Sequence, residues 1–209
     1  MPQSNAIVAP LVEWLDAARR GDGTAWGALL EHYRPYLTLL AAVQIGRRLE
    51  VKAEAGDLVQ ETYLQAHRKF SQFCGTCPDE FLSWLQEILA SRLAKLIRRY
   101  YGTQRRNLRL ELDLSQEFDN SSRIAGGMLA EPGSSPSKRA IGREESVRVM
   151  TAIQSLSENH REVLVLRHLE GLSFADVAKR MNRSTDAATQ LWVRAIQKLR
   201  EALGELDDR

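Results

Sequence analysis

Residues 170–195, EGLSFADVAKRMNRSTDAATQLWVRA, have the pattern of two short helices that meet at a tight corner. Ser173, followed three residues later by an aspartate, forms a Ser-x-x-Asp capping box that predicts the start of the first helix. Asn182 and Arg183 form the predicted corner, and Ser184 is placed to cap the second helix. A short helix, a tight corner and a longer helix together predict a helix-turn-helix motif, whose second helix enters the DNA major groove.

Both predicted helices have a complete apolar side. In the second helix the apolar residues recur at i, i+3, i+4, i+7 and i+11, which is the period of an amphipathic helix. The pattern also fits a plain three-helix bundle that binds no ligand, so the spacing alone leaves both interpretations open. The apolar residues are Phe174, Val177, Ala178 and Met181 in the first helix, and Ala188, Leu191, Trp192, Ala195 and Leu199 in the second.

The outward side of the second helix is polar but carries few positive charges. Side chains such as Thr185 and Gln190 can hydrogen-bond to base edges, while basic side chains such as Arg194 bind phosphates. Because few phosphates are contacted, binding should be weak and should fade as salt rises, so this domain alone is predicted to be a poor DNA binder. The candidate DNA-binding residues are Arg183, Ser184, Thr185, Asp186, Thr189, Gln190, Arg194 and Lys198.

The 209-residue chain has the composition of a soluble globular protein, with 44% hydrophobic and 27% charged residues. Its 29 Lys and Arg residues nearly balance 27 Asp and Glu residues, so the net charge of +2 does not by itself indicate a nucleic-acid binder. The N-terminal segment MPQSNAIVAP lacks the basic start and apolar run of a secretory signal, and no stretch approaches the roughly 18 apolar residues of a membrane span. These features predict a cytoplasmic protein with no membrane association.

Helical periodicity recurs along almost the whole chain and strand signals are nearly absent, which predicts an all-α fold. The segment DNSSRIAGGMLAEPGSSPSKRAIG at 119–142 is rich in Ser, Gly and Pro and has little periodicity. We therefore expect two small helical domains, at 1–108 and 144–209, joined by a flexible linker at 109–143.

Two residues predict helix boundaries in the first domain. Thr24 suits the N-cap of the second helix. Pro35 suits the first turn of a third helix, because proline inside a helix removes a backbone hydrogen bond. The segment between Thr24 and Gly46 is thus predicted to contain two helices.

A basic segment and an acidic segment stand out in the first domain. Residues 92–109 contain seven Lys or Arg residues, no acid, and the pair Tyr100-Tyr101, a combination suited to a nucleic-acid backbone with unstacked bases. Residues 54–61, EAGDLVQE, place acidic and polar side chains at a helix start, which suits the docking of a partner. Each segment also has a structural interpretation, because helix ends favour cations at the C-terminus and acids at the N-terminus.

In this order the segments resemble the extracytoplasmic-function (ECF) group of bacterial sigma factors, over nearly the whole chain. DLVQETYLQAHRKF at 57–70 is similar to the helix that docks on the clamp helices of the largest RNA polymerase subunit. FLSWLQEILASRLAKLIRR at 81–99 resembles the helix that engages the −10 promoter element and helps to open it. LSENHREVLVLRHLEGLSFADVAKRMNRS at 156–184 and RAIQKLREAL at 194–203 resemble the fourth sigma region, which reads the −35 element.

The resemblance implies a promoter-specificity subunit that is not an enzyme and uses no cofactor or metal. Its partners would be promoter DNA and core RNA polymerase, through the clamp helices and through a flap region contacted by the C-terminal domain; an anti-sigma protein is a further candidate. The candidate DNA-binding residues given above would read the −35 element. The implied core-binding residues are Asp57, Leu58, Gln60 and Glu61, and the implied −10 residues are Phe73, Trp84, Ser91, Arg92, Lys95, Arg98 and Arg99.

Four positions depart from the family pattern and leave the promoter sequences open. Thr189 and Leu191 stand where the family often carries Lys or Arg, Ser91 stands where Asn is usual, and Lys95 stands where an acid is usual. Trp84 has two interpretations, as a wedge against melted DNA or as a core residue, and its helical register with buried-type neighbours favours the core.

The remaining motifs indicate no catalysis. Cys74 and Cys77 form a C-x-x-C pair, for which reduced bystander thiols are favoured over a zinc or redox role because further ligands are missing near His67. His160 and His168 are predicted to be surface residues. An autonomous helix-turn-helix regulator is the competing function, but it would need tight operator binding without polymerase.

Overall fold

The computed structural model describes the backbone of residues 5–48, 54–101, 108–127 and 143–207, and all regular structure in these ranges is helical. The prediction of an all-α fold is confirmed. None of the described helices is long and apolar enough to cross a membrane. The helices are α1 (Asn5–Arg19), α2 (Gly23–Arg48), α3 (Ala55–Lys69), α4 (Pro78–Tyr101), α5 (Leu108–Gly127), α6 (Arg143–Ser155), α7 (Glu158–Leu164), α8 (Phe174–Arg180) and α9 (Thr185–Asp207).

The chain forms two compact units, Met1–Gln116 and Glu117–Arg209. In the first unit α2 is central and contacts α1, α3 and α4. Leu37 and Leu39, which point to nearly opposite sides of a helix, are only 0% and 2% exposed. A helix that is apolar on several sides belongs inside a bundle. A narrow stripe of α2 that includes Glu31 and Arg34 remains exposed.

Two hydrogen bonds fix α3 and α4 against α2. The Tyr63 hydroxyl of α3 donates to the Leu30 carbonyl at 2.6 Å, and burial raises the pKa of this phenol. The Gln86 amide of α4 donates to the buried Tyr36 hydroxyl. These contacts set which sides of α3 and α4 remain outside.

Both helix boundaries predicted in the first domain are wrong. Asp22 caps α2, because its carboxylate accepts from the backbone N–H groups of Thr24 at 2.8 Å and Ala25 at 3.2 Å. Thr24 therefore lies inside the first turn. Pro35 lies in the interior of one continuous helix rather than starting a new one. An interior proline costs about 3 kcal/mol, and the burial of residues on both sides of Pro35 offsets that cost.

The first half of the predicted flexible linker at 109–143 is a helix, α5. Leu114, Phe118 and Ala125 are 0% exposed and share one side of α5. Ser122 is also buried, and its hydroxyl donates to the Phe118 carbonyl at 2.9 Å, four residues back. Serine is typical of linkers, but this backbone bond satisfies its hydroxyl inside a helix. The two compact units divide within α5, after Gln116.

In the second unit α9 is the central helix and contacts α6, α7 and α8. Ala188, Ala195 and Leu199 are 0% exposed, as the predicted apolar stripe requires. Leu191 and Trp192 from the same stripe are only partly buried. A π-helical turn at Val165–Leu169 extends α7 towards the helix-turn-helix.

Replacing Asp22 with Ala should lower the free energy of unfolding by about 1 kcal/mol, because two N–H groups of α2 lose their acceptor. The matched variant Thr24→Ala should change it by less than about 0.5 kcal/mol, as expected for a surface substitution. Urea unfolding followed by circular dichroism measures both. An equal or larger loss in Thr24→Ala would show that the cap is assigned to the wrong residue.

Candidate partner and nucleic-acid interfaces

The outward side of α3 is acidic near its N-terminus. Asp57, Gln60 and Glu61 are exposed at helical spacing, so a single partner surface can contact all three. Leu58 is a correction to the predicted set. Its side chain is only 4% exposed, because position 58 lies on the inner side of α3, which packs against α2 and α4.

Leu64 was missed by the sequence analysis. Its side chain is 55% exposed, and it lies two turns after Asp57 on the same side of α3. The signal was its position seven, four and three residues after Asp57, Gln60 and Glu61, which places it on the same side of the helix. An apolar residue of an amphipathic helix is ordinarily assigned to the core. We call Asp57, Gln60, Glu61 and Leu64 the docking surface.

The outward side of α4 is basic. Lys95 and Arg99 are exposed one turn apart, and Ser91 and Arg92 are partly exposed one turn before them. Arg98 is half-buried at the edge of the same side. The side chains of the later arginines in the basic segment lie outside the described residues. We call Ser91, Arg92, Lys95, Arg98 and Arg99 the basic face.

A cleft of about 170 Å³ opens between α3 and α4 beside the basic face. The Nε–H of Arg92 is buried and has no hydrogen-bond partner among the described residues. Leaving such a donor unpaired costs about 1–3 kcal/mol, so a group that accepts from it would bind favourably. Lys69 brings a second cation, which sequence analysis missed because it belongs to α3. The cleft is lined by Gln65 and Lys69 from α3 and by Trp84, Glu87, Ser91 and Arg92 from α4.

An aromatic cluster joins this cleft to the loop before α4. The rings of Phe73 and Trp84 lie 5.1 Å apart between centroids, and both contact Phe81, which is 0% exposed. Trp84 thus packs on the core through one side and keeps a partly exposed side that lines the cleft. Phe73 is also partly exposed, and the Arg19 guanidinium lies 5.6 Å from its ring centroid.

The loop before α4 is held tightly by its own residues. The Glu80 carboxylate accepts from the backbone N–H groups of Thr76 and Cys77, which closes half of a capping box at the start of α4. These hydrogen bonds, that from Thr76 first, lower the pKa of Glu80. A side chain at Gly75 would collide with the Phe73 ring and with Glu80. Glycine at 75 is therefore required for the loop to close on Phe73.

The helix-turn-helix of the second unit forms as its capping residues predict. The Ser173 hydroxyl accepts from the backbone N–H of Asp176 at 3.2 Å, and Ser184 does the same for Ala187. At the corner Asn182 has a φ of 52°, a left-handed conformation that asparagine tolerates at a helix end. The Arg183 N–H then reaches back to the Ala178 carbonyl at 2.8 Å and terminates α8.

The predicted base-reading residues lie on the outer side of α9, with one restriction. Thr185, Asp186 and Gln190 are exposed. The Thr189 hydroxyl donates to the Thr185 carbonyl at 2.9 Å, so it can reach DNA only as an acceptor or through its methyl group.

The predicted phosphate-binding residues are exposed, but they are few and two of them have side-chain partners. Arg194 is exposed, Arg183 donates to the Asn159 side chain at 3.2 Å, and Lys198 forms an exposed ion pair with Glu201 at 2.6 Å. Such exposed pairs are weak and open easily.

Two further cations on α8 were missed by the sequence analysis. Lys179 and Arg180 are exposed in its last turn, and Arg180 lies 3.9 Å from the Glu170 carboxylate. The first helix of a helix-turn-helix crosses the DNA backbone, which is the signal that could have identified both residues.

His168 corrects the prediction that it is a surface residue. Its Nε2 accepts a hydrogen bond from the Trp192 indole N–H at 2.8 Å, and the two rings stack with centroids 6.0 Å apart. Accepting this bond requires the neutral ring with its proton on Nδ1. Burial, and after it the Arg167 charge, lower the pKa of His168. The contact ties the helical turn before the motif to the middle of α9.

Within the described ranges, no group of three or more His, Cys, Asp or Glu residues could hold a metal ion. Cys74 and Cys77 are free thiols, the first exposed and the second partly exposed.

Comparisons with known proteins find a family match within the second unit and similar proteins over most of the chain. A family model described as sigma-70, region 4 matches residues 152–201, which include α7, α8 and most of α9. The ECF RNA polymerase sigma factor BldN of Streptomyces coelicolor is 26% identical over 202 residues, covering 97% of this chain and 69% of BldN. The ECF RNA polymerase sigma-E factor of Escherichia coli K12 is 27% identical over 168 residues, covering 80% of this chain and 81% of the relative. A solved structure of an RsbN–BldN complex is 24% identical and covers 90% of this chain and 97% of the matched chain, with a TM-score of 0.31.

Lowering the pH should destabilise the second unit more in the native chain than in a His168→Gln variant. Because the folded pKa of His168 lies below its ordinary value of 6.5, its contribution is complete above pH 6.5 and is lost as pH falls towards the folded pKa. The glutamine side chain of the variant keeps an acceptor for Trp192 but does not titrate. Thermal unfolding at pH 7.5 and pH 5.5 compares the two proteins, and an identical loss in Tm would exclude this role for His168.

Proposed function

We propose that this chain, which belongs to the extracytoplasmic-function (ECF) group of the sigma-70 family, binds core RNA polymerase and directs it to promoters by reading −35 and −10 elements. The observation that carries the proposal is the presence of one acidic and two DNA-suited surfaces on a single chain. They are the docking surface on α3, the basic face on α4, and the outer side of α9.

The docking surface suits a protein partner rather than DNA. Asp57 and Glu61 would repel phosphates, while the exposed Leu64 side chain supplies apolar contact area beside them. Interfaces draw most of their affinity from a few such buried anchors surrounded by polar contacts. We assign this surface to the polymerase clamp helices.

The basic face suits the −10 element as it opens. Arg92, Lys95 and Arg99 present cations along one side of α4, and the unpaired Arg92 Nε–H can donate to a phosphate oxygen. The partly exposed Trp84 ring lines the same cleft, and the partly exposed Phe73 ring contacts Trp84. Unstacked bases stack on aromatic side chains. This side of the unit therefore combines cations that bind the DNA backbone with aromatic rings on which melted bases can stack.

The outer side of α9 suits the −35 element in the major groove. Thr185, Asp186 and Gln190 are free to face base edges, while Lys179 and Arg180 of α8 reach the flanking phosphates. Few cations act directly on DNA here, so affinity depends on mounting both units on one polymerase. Linking two weak binding modules raises the effective concentration of the second without any new contact.

The proposal is tested by pull-down with core polymerase, followed by in vitro transcription on a library of genomic promoter fragments. The native chain should bind core polymerase and select a defined set of promoters. Failure to bind core polymerase would refute the proposal.

The docking surface yields a separate prediction. The variants Asp57→Ala/Gln60→Ala and Leu64→Ala should each weaken core binding roughly tenfold, since residues that anchor an interface contribute more than about 1 kcal/mol each. Val12→Ala is the matched control, because Val12 is an exposed apolar residue of the same unit outside this surface. Unchanged affinity with a native circular dichroism spectrum would place the docking site elsewhere.

A further inference from the structure

Cys74 and Cys77 have no part in the proposed function. They are the only cysteines of the chain, both are free thiols, and Gly75 and Thr76 separate them in the loop before α4. Neither is a core residue, although free cysteine is ordinarily among the most buried residue types. Two thiols at this spacing can form a disulfide with each other, and no other cysteine of the chain competes.

A metal does not account for the pair. A structural zinc ion takes four ligands, and no group of three or more suitable side chains occurs in the part of the chain that the structure describes. The C-x-x-C spacing is otherwise typical of thiols that are oxidised and reduced reversibly.

The loop that contains the two cysteines packs against the aromatic cluster, so a change in the loop conformation affects that cluster. The Cys74 thiol donates to the Gln72 carbonyl, 3.5 Å away, and this bond is lost when oxidation removes the thiol proton. A Cβ added at Gly75 would collide with the Phe73 ring and with Glu80, so the backbone at 75 faces the ring without room for another atom. The Cys77 N–H is held by the Glu80 carboxylate at 3.3 Å, so the far end of the loop stays fixed at the start of α4.

We propose that Cys74 and Cys77 are a redox-modification site whose oxidation by a small-molecule disulfide displaces Phe73. The exposed Cys74 sulfur, as thiolate, attacks one sulfur of the external disulfide, forms a mixed disulfide and releases the first external thiol. The Cys77 thiolate then attacks the Cys74 sulfur, closes the internal disulfide and releases the second thiol. The two cysteines lose two electrons and two protons, and the external disulfide is reduced to two thiols.

The consequence of oxidation rests on the proposed function. If Phe73 is one of the rings on which melted bases stack, its displacement weakens opening of the −10 element. Docking on the polymerase through α3 is left intact, because the docking surface lies on the preceding helix at residues 57–64 and not in its last turn beside the loop. Oxidation would therefore uncouple promoter opening from polymerase binding.

The experiment treats the full chain with oxidised glutathione and then alkylates it with N-ethylmaleimide. Intact mass should show a loss of two hydrogens with no glutathione and no maleimide adduct, and tryptophan fluorescence should change as Phe73 moves on Trp84. Dithiothreitol should reverse both. A persistent glutathione adduct, or two maleimide adducts, would overturn the proposal whether or not the chain is a sigma factor.

The second measurement is promoter opening by the reconstituted holoenzyme, reduced and oxidised. Opening should fall at least about fivefold on oxidation, the lower end of what one base–aromatic stack is worth, while core binding is unchanged. The Cys74→Ser/Cys77→Ser chain should be active and insensitive to the oxidant. A disulfide that forms without change in opening, or an equal loss in the double variant, would overturn the coupling to Phe73. A reduced chain that never opens promoters would instead refute the proposed function.

Discussion

A single helix, α9, has to serve as the centre of the second unit and as the surface offered to DNA. Its inner side is occupied by Ala188, Ala195 and Leu199, which pack against three other helices. What remains for DNA is a stripe of short polar side chains with few cations. The helix is placed accurately, because Ser184 caps it and Trp192 holds it to His168, but it is weakly charged. A helix that is placed accurately but attracts DNA weakly is suited to reading a base sequence when a larger assembly supplies the affinity.

The same division between inner and outer sides governs the first unit. Tyr63 and Gln86 fasten α3 and α4 to α2, and this turns an acidic side of one helix and a basic side of the other outward. Two surfaces of opposite sign on neighbouring helices are able to hold a protein and a nucleic acid at once. The loop before α4 connects these two helices, and Gly75 and Phe73 are closely packed within it. The proposed oxidation of Cys74 and Cys77 would act on DNA contact through Phe73 in this loop.

Much of this arrangement follows from the sequence, because caps and apolar periodicity are local signals. Several residues governed by long-range packing were misjudged, and two local contacts, the Asp22 cap and the Ser122 hydroxyl bond, were missed as well. Pro35 sits inside a helix because burial on both sides outweighs its local cost, and Ser122 sits inside α5 because a backbone carbonyl satisfies its hydroxyl. Leu58 lies inside although it was predicted to bind a partner, and Leu64 lies outside, because only the packing of α3 decides which side faces inward. His168 finds its partner, Trp192, 24 residues away, a pairing that no local pattern indicates.

The proposed function requires promoter affinity that the chain acquires only on the polymerase. Fluorescence anisotropy of one promoter duplex, titrated with the free chain and with the chain bound to core polymerase across a range of salt, measures this directly. The free chain should bind weakly, with little preference over a scrambled duplex and a steep loss with salt, while the holoenzyme should bind the promoter selectively. Selective nanomolar binding by the free chain at physiological salt, unchanged by core polymerase, would contradict the account.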